Sequence, residues 1–273
     1  MRPCWHEVQD AWDRTHTTVD RASEQGVAGL PTRVLIDLAL PSTTEVTFSG
    51  LHQLACWLLE RRGDASHNGQ RKPFTVSPLQ PHEAGPPWTR WAVTLLDRED
   101  ELFRRALQRL GQQPWLADHE LVVGDVVRQR ETFHEMAGRP AVERVDLVVR
   151  SPTVFSRSGR DYPLPDPALI SRGLVSRWNA FCPQDLAISD DEARDLGSQI
   201  VLLEHAIETV PVDLRGGART AFVGSLSLGL VAGGGNDGAG PRHTLARLAG
   251  LLPYSGLGAH TTHGLGTVEV DGG

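Results

Sequence analysis

The sequence predicts an α+β protein built from two tandem ferredoxin-like (RRM-like) domains. Three observations lead there. Short apolar runs suited to strands recur along the 273 residues, and stretches with helical spacing separate them. The resulting order, β-α-β-β-α-β, occurs twice. The length fits one large or two small domains, and 40% apolar content suits a globular core.

Residues 1–30 have weak apolar periodicity and end in Gly26-Val27-Ala28-Gly29-Leu30-Pro31, so they read as an N-terminal extension. Arg33 to Leu40 is apolar and β-branched, a strand. Leu51, Leu54, Ala55 and Leu58 fall at i, i+3, i+4 and i+7, which predicts a helix from Ser49 to Arg62. Lys72 to Leu79 and Thr89 to Leu96 read as strands across a Pro/Gly-rich connection. Asp100 to Leu110 then reads as a helix and Glu120 to Gln129 as a fourth strand. Gly138-Arg139-Pro140 punctuates the chain and separates a first domain at 31–138 from a second at 141–273.

In the second domain Val142 to Val149 is a strand, and Pro167 to Phe181 a helix with Leu169, Leu174 and Trp178 inward. Ile200 to Leu214 and Thr220 to Val231 form a long hairpin. Leu245, Leu248, Ala249 and Leu252 define a helix from Gly240 to Leu252, and Gly266 to Val270 is the last strand.

A net charge of −7 argues against nonspecific coating of nucleic acid. The charge is uneven, however. Cys182 to Leu214 holds eight acids against Arg194, whereas Arg150 to Asn179 holds five arginines and two aspartates, which leaves room for a local basic face. The cysteines Cys4, Cys56 and Cys182 are scattered without a C-x-x-C pair, a pattern that suits a reducing cytoplasm and neither a disulfide framework nor a zinc ribbon. No signal peptide or membrane segment is expected, because the N-terminus is charged and no apolar run nears the roughly 20 residues of a membrane helix. Arginines number 26 against the single Lys72. That lysine is either left over from codon bias or marks a place where a compact ammonium is wanted rather than a planar fork.

One motif stands apart: Gly256-Leu257-Gly258, five residues, then Gly264-Leu265-Gly266. It follows a helix and lacks the Gly-Lys-Ser/Thr ending of a phosphate-binding P-loop. His260 and His263 have a spacing that zinc sites use, but no third ligand is near in sequence, so no metal is expected. Residues 258–262 read as a turn whose backbone N–H groups cradle a phosphate, or as a purely structural turn. Trp88 and Trp91 either stack on bases or fill a core.

Further stretches accompany the loop in order: Lys72-Pro73-Phe74-Thr75-Val76-Ser77-Pro78, Ser151-Pro152-Thr153, Leu164-Pro165-Asp166-Pro167 before Arg177-Trp178-Asn179, Phe222-Val223-Gly224, and Tyr254-Ser255-Gly256. In this set and order the chain resembles the RAMP superfamily of CRISPR-associated proteins, and within it the repeat-processing endoribonucleases. The resemblance spreads over most of the chain and does not cover residues 1–30. It implies metal-independent cleavage of CRISPR repeat RNA in the precursor transcript to mature guide RNAs. The 2′-hydroxyl attacks the adjacent phosphate, leaving 2′,3′-cyclic phosphate and 5′-hydroxyl ends, and no cofactor is needed. Other subunits of a CRISPR effector complex are further expected partners. The alternative it implies is a non-catalytic RNA-binding subunit of such a complex.

The resemblance places the catalytic histidine and lysine in Ser66-His67-Asn68-Gly69-Gln70-Arg71-Lys72. His67 is then the general base or acid and Lys72 the electrostatic stabiliser, with His52 as a second acid/base candidate or merely a polar helix edge. RNA contacts are expected at Gly256, Gly258, His260, Thr261, Thr262, His263, Gly264 and Gly266, and at Arg157 and Arg160. The chain departs from the pattern twice. Its only tyrosines are Tyr162 and Tyr254, so the first domain has none, and the loop carries histidines where a lysine or arginine is usual.

Overall fold

The structure is a computed structural model that describes residues 30–41, 43–60, 72–96, 100–214, 217–231 and 239–271. In the first domain Thr32–Ala39 is β1, Phe74–Val76 β2, Gln80–Pro81 β3, Trp88–Leu95 β4 and Val122–Arg130 β7. They form an antiparallel sheet in the order β2-β4-β1-β7, with β3 added to β4. Helices α1 (Phe48–Leu59) and α2 (Glu101–Leu110) supply the two helical crossings, and a small hairpin of β5 (Trp115–Leu116) and β6 (His119–Glu120) precedes β7.

The second domain repeats the plan. Its strands are β8 (Arg144–Thr153), β11 (Ile200–Leu214), β12 (Gly217–Leu230) and β13 (Val268–Val270), in the order β11-β12-β8-β13. Numbered within each domain, both sheets read 2-3-1-4. The strands pair antiparallel throughout. Helices α4 (Pro167–Phe181) and α6 (Ala239–Ser255) occupy the crossings, and a hairpin of β9 (Phe155–Arg157) and β10 (Arg160–Tyr162) leads into α4. The α+β class and the doubled ferredoxin-like order therefore hold.

Local differences have local causes. The strand expected over Lys72 to Leu79 shrinks to three residues between Pro73 and Pro78, which cannot donate to a ladder. Two helices escape the apolar periodicity: α3 (Phe133–Ala137) and α5 (Asp190–Gln199). Both open on a capping box, Thr132 with Glu135 and Ser189 with Glu192, so the acids at 190–192 serve a helix start. Trp91 is fully buried and donates its Nε1–H to Ser77 O at 3.0 Å, so it fills core and does not stack on a base.

Each domain has its own core. Phe133 and Met136, from the helix just before the expected boundary, lie in the second core, Phe133 meeting Trp178 edge-on at 5.1 Å. A third, smaller cluster joins the domains: Val154, Val212, Leu214, Ala221 and Leu265, with Phe48 at the start of α1 packed against it. No helix among the described residues is long and apolar enough to cross a membrane.

Candidate functional site

The site grows from two elements, one per domain. On α1, Leu51, Leu54, Ala55, Leu58 and Leu59 are buried in the first core, and Thr47 caps the start by accepting from Gly50 N–H at 3.0 Å. That packing leaves His52 and Cys56, one turn apart, on a flank turned to the second domain. Arginines of α2 hold the other end: Arg105 donates to Leu59 O, and Arg109 to Trp57 O and, at 2.8 Å, to Glu60 O. They satisfy last-turn carbonyls and place positive charge at the negative end of the helix dipole.

The glycine loop is the second element. Its glycines serve the protein's own packing: a Cβ on Gly266 would lie 1.9 Å from Leu257 O, and one on Gly258 2.5 Å from Val154 O. Gly256, Gly258, Gly264 and Gly266 all have positive φ, so a side chain would also strain them. Leu257 N–H donates to Gly266 O at 2.8 Å, and Gly266 N–H to Pro152 O at 3.0 Å, which clasps the two Gly-Leu-Gly arms together. Arg177 of α4 reaches under the clasp, donating to Ser255 O and, at 2.8 Å, to Thr261 Oγ1. Burial pulls its pKa down to about 10, so it remains a cation at neutral pH.

The clasp pushes the intervening Thr261–His263 turn onto α1 and β2. His263 stacks on His52 with ring centroids 3.8 Å apart and planes 9° from parallel. The His52 Nδ1–H donates to Thr262 O at 3.0 Å. A carbonyl only accepts, so this bond puts a proton on Nδ1 and turns Nε2 to other partners. Nε2 lies 3.5 Å from Cys56 Sγ, and Lys72 Nζ donates to the same sulfur at 3.4 Å. Lys72 also pairs with Glu60 Oε1 at 2.6 Å, with only 11% of its side chain exposed. His260 stands edge-on to His263 at 5.6 Å.

Electrostatics favour neutral imidazoles in the loop. Burial, then the charges of His52, His260 and Lys72, hold His263 down to about 4. Burial and then Arg219 also lower His260, against Asp161. Burial raises the Cys56 thiol, with Lys72 opposing and Glu60 adding, so the sulfur stays protonated. The arrangement can accept and release protons at one oriented nitrogen beside a second neutral ring.

Among the expected residues, the fold gathers His52, Lys72, His260, Thr262 and His263 into this cluster. Thr261, Gly264 and Gly266 are buried and build the loop's own packing. Gly256 and Gly258 share that role through their close approaches. Arg157 and Arg160 face each other across the exposed β9–β10 hairpin, with Arg157 3.7 Å from Asp166. His67 lies outside the described residues. The sequence reading missed Cys56, Glu60 and Arg177, although His52, Cys56 and Glu60 stand at i, i+4 and i+8.

The family model described as "CRISPR-associated endoribonuclease Cas6" matches residues 147–268. A comparison with curated proteins found no match. Among solved structures, a Cas6 of Thermus thermophilus is 25% identical with a TM-score of 0.70, covering 90% of this chain and 100% of its own. A product complex of that protein gives 24% identity and a TM-score of 0.76, over 88% of this chain and 99% of its own. A Cas6-related protein from Pyrococcus furiosus, 12% identical with a TM-score of 0.53, covers 89% of this chain and 99% of its own; at that identity it shares the fold alone.

Proposed function

We propose that the chain is a CRISPR-associated protein of the RAMP superfamily, of the Cas6 type, and that it is an endoribonuclease that cuts CRISPR repeat RNA without a metal ion. The family-model match over residues 147–268 and the likeness to the Thermus thermophilus Cas6 support this reading. The single observation that carries the residue assignment is the His52 ring of the first domain, held by the Thr262 carbonyl and stacked on His263, both from the glycine loop of the second domain.

In this reading His52 Nε2 exchanges the proton of the reaction. The 2′-oxygen gives up its proton as it attacks the adjacent phosphorus, the P–O5′ bond breaks, and the leaving 5′-oxygen takes a proton. The products are a 2′,3′-cyclic phosphate and a 5′-hydroxyl. Substrate must displace Cys56 from Nε2 or share that nitrogen with it. Lys72 supports the site at one remove, through Cys56, because Glu60 offsets its charge; it meets a phosphate only by leaving that carboxylate. His67 is assigned as the second proton carrier on the sequence alone.

The test incubates the protein with repeat RNA in excess EDTA and with the same RNA carrying a 2′-deoxy nucleotide at the cut. Cleavage is expected to survive chelation and to vanish with the deoxy substrate; metal dependence overturns the mechanism. His52→Ala is expected to lower the rate about 100- to 10,000-fold while RNA affinity stays near wild type. Full activity in that variant, with loss in His67→Ala, moves the chemistry to His67.

A further inference from the structure

A groove of about 440 Å³ lies beside the glycine loop and takes no part in the chemistry above; its size is within the roughly 300–1,000 Å³ of small-ligand sites. Ser156, Gly173, Ser176 and Ala259 line it, together with the buried Phe155 and Leu257. Gly173 is the informative residue. It sits in the middle of α4, where glycine costs about 1 kcal/mol relative to alanine. The packing does not demand it, because a Cβ there would meet nothing within 4 Å. What the missing side chain does is keep the groove open.

Charge and position name the occupant. Arg172 lines the groove, Arg157 and Arg160 stand on the adjoining hairpin, and no carboxylate is among its described lining residues. Ala259, at one end, is followed by His260 of the active-site cluster. We propose that the groove is a subsite for one unpaired nucleotide of the RNA next to the scissile phosphate, its base seated among the small residues and its phosphate toward Arg172. This rests on the endoribonuclease reading and adds to it the place where that RNA leaves the active site.

Gly173→Leu fills the groove without striking the fold. With repeat RNA it is expected to raise KM and Kd roughly tenfold, the loss of about one nucleotide's contacts. The value of kcat should stay within about twofold of wild type. Making each unpaired nucleotide near the cut abasic in turn should reproduce the loss at one position in the wild type, with no further loss there in Gly173→Leu. Unchanged Kd, or losses that add at every abasic position, overturns the subsite. If Gly173→Leu melts more than about 5 °C below wild type, Ser156→Trp fills the groove from another lining residue and is read the same way. A wild type that binds repeat RNA but does not cut it sinks the endoribonuclease reading, while the Kd comparison still decides the groove.

Discussion

His263 shows at the scale of one residue how burial sets chemistry. In the unfolded chain it titrates near pH 6.5, whereas in the folded protein its pKa falls to about 4. Between those values the unfolded state binds the extra proton. His263 therefore contributes stability in full above about pH 6.5, and that contribution is lost as pH falls toward 4. His260 is shifted the same way and adds to the effect. His263→Phe keeps a flat ring against His52 but cannot titrate. Thermal unfolding at about pH 7.5 and about pH 5 should show a smaller acid-side loss in this variant than in wild type. An equal loss in both assigns the pH dependence to other groups.

At the scale of the element, the glycine loop is a clasp before it is a surface. Its two Gly-Leu-Gly arms bury Leu257 and Leu265 and tie β8 to the end of α6. Only this anchoring lets five residues reach across to α1. Gly266→Ala would place a methyl group against Leu257 O in a backbone region that also disfavours alanine. It should destabilise by more than about 2 kcal/mol and abolish cleavage, as read by denaturant unfolding and RNA assay. A variant as stable as wild type would mean that the clasp relaxes at little cost. The elements legible in the sequence were those with strong periodicity, such as α1 and the β11–β12 hairpin. Helices α3 and α5 were not, because their capping boxes hold them at the start while few apolar positions show in between.

For the whole molecule, the candidate site exists only where the two domains meet. Phe48, at the start of α1, packs against the third cluster formed by the hairpin tip and the loop. Phe48→Ala should cost roughly 1–2 kcal/mol, less than a fully buried phenylalanine. It should lower kcat more than RNA affinity, since Phe48 starts the helix that carries His52 and packs against the cluster that holds Leu265 of the loop. Cleavage and unfolding both unchanged would show that the domains dock through other contacts.

The α+β class, the doubled strand-helix order and the loop that carries the family resemblance were legible in the residues alone, because periodicity and glycine spacing are properties of neighbouring residues. The sequence also named His67 and Lys72 as the first candidates, with His52 as a second acid/base candidate. Only the tertiary structure brought His52 onto a loop 210 residues away and turned Lys72 inward onto Glu60. The physical reason is that an imidazole's tautomer and a lysine's partner depend on groups that folding alone brings within hydrogen-bond reach.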